Sequence, residues 1–200
     1  MIFNESVVGI KVKKNSVITE HKGIRFKKNS VITTVWEAIK DIVKMLGDVS
    51  KWSTYVDGFA EVSSWGVNPL NIYVDSTATS SEGYAGIESA EYVDLTKYSL
   101  LTIDIASALM NYREKIYAPE IQFIDTSGNV VKTLNLANNS TANWTNTGGT
   151  QWTRQNFTYD ADISDLTGSY RVRLRMGNIG YGQIGSPKTV HVSINSMILT

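Results

Sequence analysis

The sequence contains no cysteine. That excludes a disulfide-stapled scaffold and any thiol chemistry. Histidine occurs twice, as His21 and His191. No Gly-x-Ser-x-Gly elbow, His-Glu-x-x-His pair or phosphate loop is present, so the sequence offers no recognisable catalytic centre. A pair of glycosidase carboxylates has no signature that sequence can exclude. No apolar run approaches the roughly 20 residues that a membrane span needs. Net charge is absent too: 19 basic residues balance 19 acidic ones.

That neutrality is unevenly distributed. Residues 1–35 hold seven basic side chains (Lys11, Lys13, Lys14, Lys22, Arg25, Lys27 and Lys28) against Glu5 and Glu20, a balance of +5. Such an arm suits an acidic partner, or else a solvated strand face that lysines protect from edge pairing. Its Lys-Lys pairs lack the interleaved aromatics of a nucleic-acid surface.

The arm is built on a repeat. Residues 10–19 read IKVKKNSVIT and residues 24–33 read IRFKKNSVIT, a period of 14. Each copy is long enough for a strand, a turn and a return strand, with turns at Asn15-Ser16 and Asn29-Ser30 and a connection at His21-Lys22-Gly23. Two small units bury little by themselves, so residues 1–35 read as an attachment module. Trp36, Ile39, Ile42, Val43, Leu46 and Val49 then recur at helical spacing. This predicts a helix of three to four turns within 36–50, capped by Thr33 or Thr34 and ended by Gly47. Trp36, Ile39, Ile42, Val43 and Leu46 form its stripe, which either packs on the main domain or forms the seam of an oligomer.

From about Lys51 the pattern changes to period two. Leu101, Ile103 and Ile105 alternate with Thr102 and Asp104; Ile121 and Phe123 flank Gln122. Tyr170, Val172, Leu174 and Met176 alternate with Arg171, Arg173 and Arg175, and Val190, Val192 and Ile194 with His191 and Ser193. One buried and one wet face is the pattern of antiparallel sheets. Turn signals fall at Thr126-Ser127-Gly128-Asn129, Gly148-Gly149, Thr167-Gly168 and Gly185-Ser186-Pro187. The expected fold is all-β: an antiparallel β-sandwich (jelly roll) over 51–200, preceded by a short β-hairpin repeat and one helix.

Candidate ligand-binding residues follow from chemistry. Trp65, Trp144 and Trp152 sit in polar, loop-like sequence, where flat rings stack on sugars; Arg154 lies near the last two, and Tyr181 is a further candidate ring. Arg171, Arg173 and Arg175 share a strand face at about 7 Å spacing. They suit an anionic polymer such as teichoic acid, or cross-strand pairing with acids such as Asp104 or Asp125. Asp160 and Asp162 are candidate ligands for a structural calcium. No other cofactor is expected.

Two resemblances extend this reading. The segments Tyr92–Asp104, Ile121–Asn129, Asp162–Val172 and Val190–Leu199 resemble jelly-roll carbohydrate-binding modules and galactose-binding-like domains. This resemblance implies glycan binding, without a fixed sugar-binding triplet. Tandem short units ending in Val35-Trp36 and leading into a helix resemble N-terminal segments of small virion proteins from phages of Gram-positive bacteria. No secretory signal precedes the repeat. The joint expectation is a non-enzymatic phage structural protein, assembled in the host cytoplasm and carried on the virion. It would contact other virion proteins, form a homo-oligomer (a trimer being the expected state) and bind host cell-wall polysaccharide as a receptor-binding or fibre-tip component. The alternatives are a head or tail decoration or adaptor protein with no glycan ligand, and a carbohydrate-binding module of a bacterial surface protein.

Overall fold

The period-two runs fold as strands because each offers one continuous apolar face. In chain order the strands are β1 (Ser6–Val8), β2 (Ile24–Lys28), β3 (Val31–Trp36), β4 (Lys40–Asp41), β5 (Trp52–Gly58), β6 (Ala60–Val67), β7 (Leu70–Ser76) and β8 (Glu82–Ser89). They continue with β9 (Val93–Asp94), β10 (Leu100–Asn111), β11 (Glu120–Ile124), β12 (Val130–Asn135), β13 (Thr145–Gly148), β14 (Gln151–Asp162), β15 (Ser169–Ile179) and β16 (Val190–Leu199). The computed structural model describes residues 6–8, 24–28, 31–36, 40–76, 82–111, 118–137, 144–148, 151–179 and 189–200. The chain divides into two compact units, residues 1–40 and 41–200.

The first unit contains a three-stranded antiparallel sheet ordered β1-β2-β3. Lys28 of β2 pairs with Val31 of β3, while the expected turn residues Asn29-Ser30 lie outside the described residues. The first copy, with Asn15-Ser16 and His21-Lys22-Gly23, lies outside the described residues.

The second unit is an antiparallel β-sandwich of the jelly-roll kind. One sheet runs β13-β14-β10-β16-β7-β6, the other β12-β11-β15-β8-β5. Leu101, Ile103, Ile105, Ile72, Val192 and Ile194 from the first sheet meet Ile87, Ile121, Phe123, Val172, Leu174 and Met176 from the second, all fully buried. Removing this apolar area from water is the main term holding the sheets together.

Two copies of one local device plug the sandwich. Asp94 accepts from the Thr96 amide (3.0 Å) and hydroxyl (2.6 Å), and Tyr98 N–H donates to the Leu95 carbonyl (3.0 Å). Asp162 does the same with Ser164 (2.9 and 2.6 Å), and Leu166 N–H with the Ile163 carbonyl (2.9 Å). Each aspartate ties the following backbone into a turn, and the residue between, Leu95 or Ile163, is driven fully into the core. The β11–β12 hairpin turns where expected, with Asp125 accepting from the Ser127 and Asn129 amides and Gly128 at φ 88°.

The helix expected over 36–50 is corrected to one turn. Thr33, Thr34 and Trp36 belong to β3, and the helix α1 spans only Ile42–Met45, followed by a 3-10 turn at Val49–Lys51. Asp41 is the cap: its Oδ1 accepts from Val43 N–H at 3.1 Å and from Met197 N–H of β16 at 3.1 Å. A helix this short has no independent stability and persists through packing. Ile42, Val43 and Leu46 are buried in the sandwich core, so these three are spent there rather than on another chain. Ile39 lies outside the described residues.

Candidate functional site

β15 runs through the second sheet between β11 and β8. Its even-numbered residues Val172, Leu174 and Met176 enter the core, so Arg171, Arg173 and Arg175 necessarily share the outer face. Register decides their neighbours. Arg173 stands between Gln122 and Glu88, and Arg175 between Glu120 and Gly86. One strand further out, Tyr55 of β5 is paired with Gly86.

These residues pair in two adjacent groups, Arg171 and Arg173 with Glu88 and Gln122, and Arg175 with Glu120. Glu88 receives both Arg171, through Nη1 to Oε1, and Arg173, through Nε (2.7 Å) and Nη2 (2.5 Å) to Oε2. Arg173 Nη1 donates to Gln122 Oε1 at 3.1 Å. Arg175 Nε donates to Glu120 Oε2 at 2.8 Å. Arginine's planar fork suits such multiple pairing. Each guanidinium also lies against a tyrosine ring: Arg173 over Tyr55 (3.8 Å to the centroid), Arg175 over Tyr84 (4.1 Å) and Arg171 over Tyr92 (5.8 Å).

The result differs from an open wet face. Gln122, Glu120 and Glu88 are buried, and the Arg173 and Arg175 side chains are only 13% and 17% exposed. The pairing partners are Glu88 and Glu120; Asp104 and Asp125 stand elsewhere, beside Asn195 and in the β11–β12 turn. Two glutamates against three arginines leave little net charge, so this triad is no open polycationic strip. What remains is a flat polar face whose phenol rings are backed by guanidinium groups. Gly86 is required in it: a Cβ there would fall 2.0 Å from the Leu174 carbonyl oxygen and 2.6 Å from Arg175 Cα.

The other expected ligand residues do not converge on one cleft. Trp65 lies on β6 and Trp152 on β14, both half-buried and packed on the core. Trp144 is buried just before β13, edge-on to Phe157 with centroids 5.8 Å apart, and Arg154 lies 4.1 Å over the same Phe157 ring. β6 and β13 are at opposite edges of the first sheet, so Trp65 is the sheet's full width from Trp144. Tyr181 lies outside the described residues. Sequence rich in Gly, Asn and Thr suggested loops around these tryptophans, but cross-strand pairing prevailed.

Asp160 and Asp162 stand on the outer face of β14 with their carboxylates locally engaged. Asp160 Oδ1 accepts from Thr102 Oγ1 at 2.6 Å, and Asp162 caps Ser164. The Ser164 hydroxyl and amide hold the Asp162 carboxyl below its ordinary range. Among the described residues no group of three or more His, Cys, Asp or Glu is placed to hold a metal ion. His191 stacks on Tyr73 (5.3 Å) beside Ser107 Oγ (3.4 Å), and burial lowers its pKa.

No protein-family profile matches the chain, and no curated protein matches it. Among solved structures it is similar to TmCBM27, a carbohydrate-binding module described for specific mannan recognition, at 12% identity and TM-score 0.43, covering 81% of this chain and 94% of that one. It is also similar to the enzymatically active domain of bacteriophage CBA120 tailspike protein 4, at 13% identity and TM-score 0.38, covering 78% of this chain but 20% of that one. A third is CBM86, a low-affinity xylan-binding module from Roseburia intestinalis, at 11% identity and TM-score 0.30, covering 74% and 95%. No helix among the described residues is long and apolar enough to cross a membrane.

Proposed function

We propose that the sandwich is a non-catalytic glycan-binding module, and that its binding surface is the outer face of the second sheet. The observation that carries this is the pairing of Tyr55 with Arg173 and Tyr84 with Arg175. Sugars are bound by flat apolar surfaces edged with planar hydrogen-bonding groups. Here guanidinium, carboxylate and amide groups are held rigid by one another, which lowers the entropic cost of ordering them on binding. In the same reading the chain is a phage structural protein. Residues 1–40 attach it to other virion proteins as part of a homotrimer, and the sandwich meets host cell-wall polysaccharide.

Affinity electrophoresis against neutral glycans and Gram-positive wall polysaccharide tests the module. Retardation that Tyr55→Ala and Tyr84→Ala each weaken at least tenfold supports the assignment. Wild-type protein that no glycan retards refutes it.

One observation favours a second reading, a decoration or adaptor protein without glycan ligand. Arg171, Arg173 and Arg175 each have a glutamate partner, and Trp65, Trp144 and Trp152 are packed rather than displayed. On that reading the tyrosine substitutions change capture by purified particles and leave glycan retardation at zero.

A further inference from the structure

Along β14 the inward positions read Trp152, Arg154, Phe157, Tyr159 and Ala161, opposite Met110, Ala108, Ile105, Ile103 and Leu101. Four of the five are apolar or aromatic, as an inner face requires. Arg154 is the exception. Its cross-strand partner Ala108 is fully buried and offers no charge. Among the described arginines of the sandwich, Arg171, Arg173 and Arg175 each have a carboxylate, while Arg154 has, among the described residues, only the Phe157 ring. An uncompensated charge at an inward position is costly, and departures from pattern of this kind concentrate at functional sites.

The surroundings match that charge. Arg154 lines a shallow, open cleft with Thr145, Thr153, Gln155, Asn156 and Phe157, and the lining includes no acid. Beside it the buried Trp144 indole N–H has no acceptor among the described residues. The cluster is therefore rich in donors and lacks anionic acceptors. Arg154 Cζ lies 4.1 Å over the Phe157 ring centroid, and among the described residues no carboxylate pairs with its guanidinium N–H donors, which suit an incoming anion.

The geometry points to a second binding site at the β13–β14 edge, where Arg154 takes an anionic group, a carboxylate or phosphate, borne on a saccharide. Guanidinium pairs with both anions in the same two-point geometry. The site is separate from the tyrosine face and does not depend on it.

The test uses the full chain at low salt in two arms, a polyuronate for carboxylate and a teichoic-type polymer for phosphodiester. Binding by either, reduced at least tenfold in Arg154→Met and partly kept in Arg154→Lys, is expected; the arm that binds identifies the anion. Arg154→Met preserves the stem on Phe157, and its melting temperature reports folding. As a measurement without substitution, the 15N shift of Arg154 Nε is followed during titration with galacturonate and with inorganic phosphate, and movement with one of them is expected. Absence of binding in both arms, unchanged binding in Arg154→Met, or an unmoved Nε resonance overturns the assignment.

Discussion

Replacing Glu88 with alanine removes the carboxylate shared by Arg171 and Arg173. Arg173 loses contacts at 2.7 and 2.5 Å while its side chain stays 13% exposed, so water cannot replace them well. A hydrogen bond to a charged group contributes about 1.5–3 kcal/mol net, and about 2 kcal/mol falls on Arg173. Arg171 is 29% exposed and recovers more hydration, so its share is under about 1 kcal/mol. The expected loss is roughly 3 kcal/mol, which for a domain of this size lowers Tm by about 6–12 °C. Glu88→Gln keeps the shape and one acceptor and should lose about half as much. Thermal and urea unfolding measure both variants, at low salt and in about 1 M NaCl. A surface pair would be screened away at high salt, where the Debye length is near 3 Å; this partly buried pair should keep most of its effect. A loss below about 0.5 kcal/mol, or one that vanishes in salt, would refute the claim that Glu88 organises this face.

Gly86→Ala should destabilise by several kcal/mol or prevent folding, because the added methyl meets backbone at 2.0 and 2.6 Å; soluble yield and Tm report it, and a wild-type Tm contradicts the close approach. The Thr96 hydroxyl and amide depress Asp94, as the Ser164 hydroxyl and amide depress Asp162. A depressed carboxylate stabilises above its unfolded value of 3.8, and this contribution is lost as pH falls through the lower folded value. The double substitution Asp94→Asn with Asp162→Asn should therefore flatten the fall in Tm as pH drops below about 4; an unchanged slope counts against the hooks. Light scattering of the full chain and of residues 41–200 checks assembly: trimer and monomer are expected, and two monomers would defeat the homotrimer reading.

The sandwich was legible because alternation survives wherever a strand has one face in the core, as at Leu101–Ile105 and Val190–Ile194. The helix was misjudged because Ile42, Val43 and Leu46 suit a longer amphipathic helix equally well; the long-range bond from Met197 N–H to Asp41 is invisible to local periodicity. At the site, the common face of Arg171, Arg173 and Arg175 followed from parity alone. Their partners did not. Tyr55, Tyr84, Glu88, Glu120 and Gln122 come from three other strands, 49 to 120 positions away from Arg171, Arg173 and Arg175, and only the register of β5, β8 and β11 against β15 brings them together. The one available signal was the small-residue run Gly83-Tyr84-Ala85-Gly86, which marks a strand that neighbouring chains approach closely.

Asp41 also has a mechanical consequence. Tension entering the sandwich through Lys40 reaches a carboxylate fastened at once to its own helix turn and to Met197. That residue sits in β16, which is flanked on both sides by β10 and β7. The load therefore passes into an interior strand, where the ladders on either side resist together, rather than into an edge strand that would peel one bond at a time. A module tethered this way holds its shape while its attachment is pulled, and in single-molecule stretching from an N-terminal handle Asp41→Ala should lower the unfolding force.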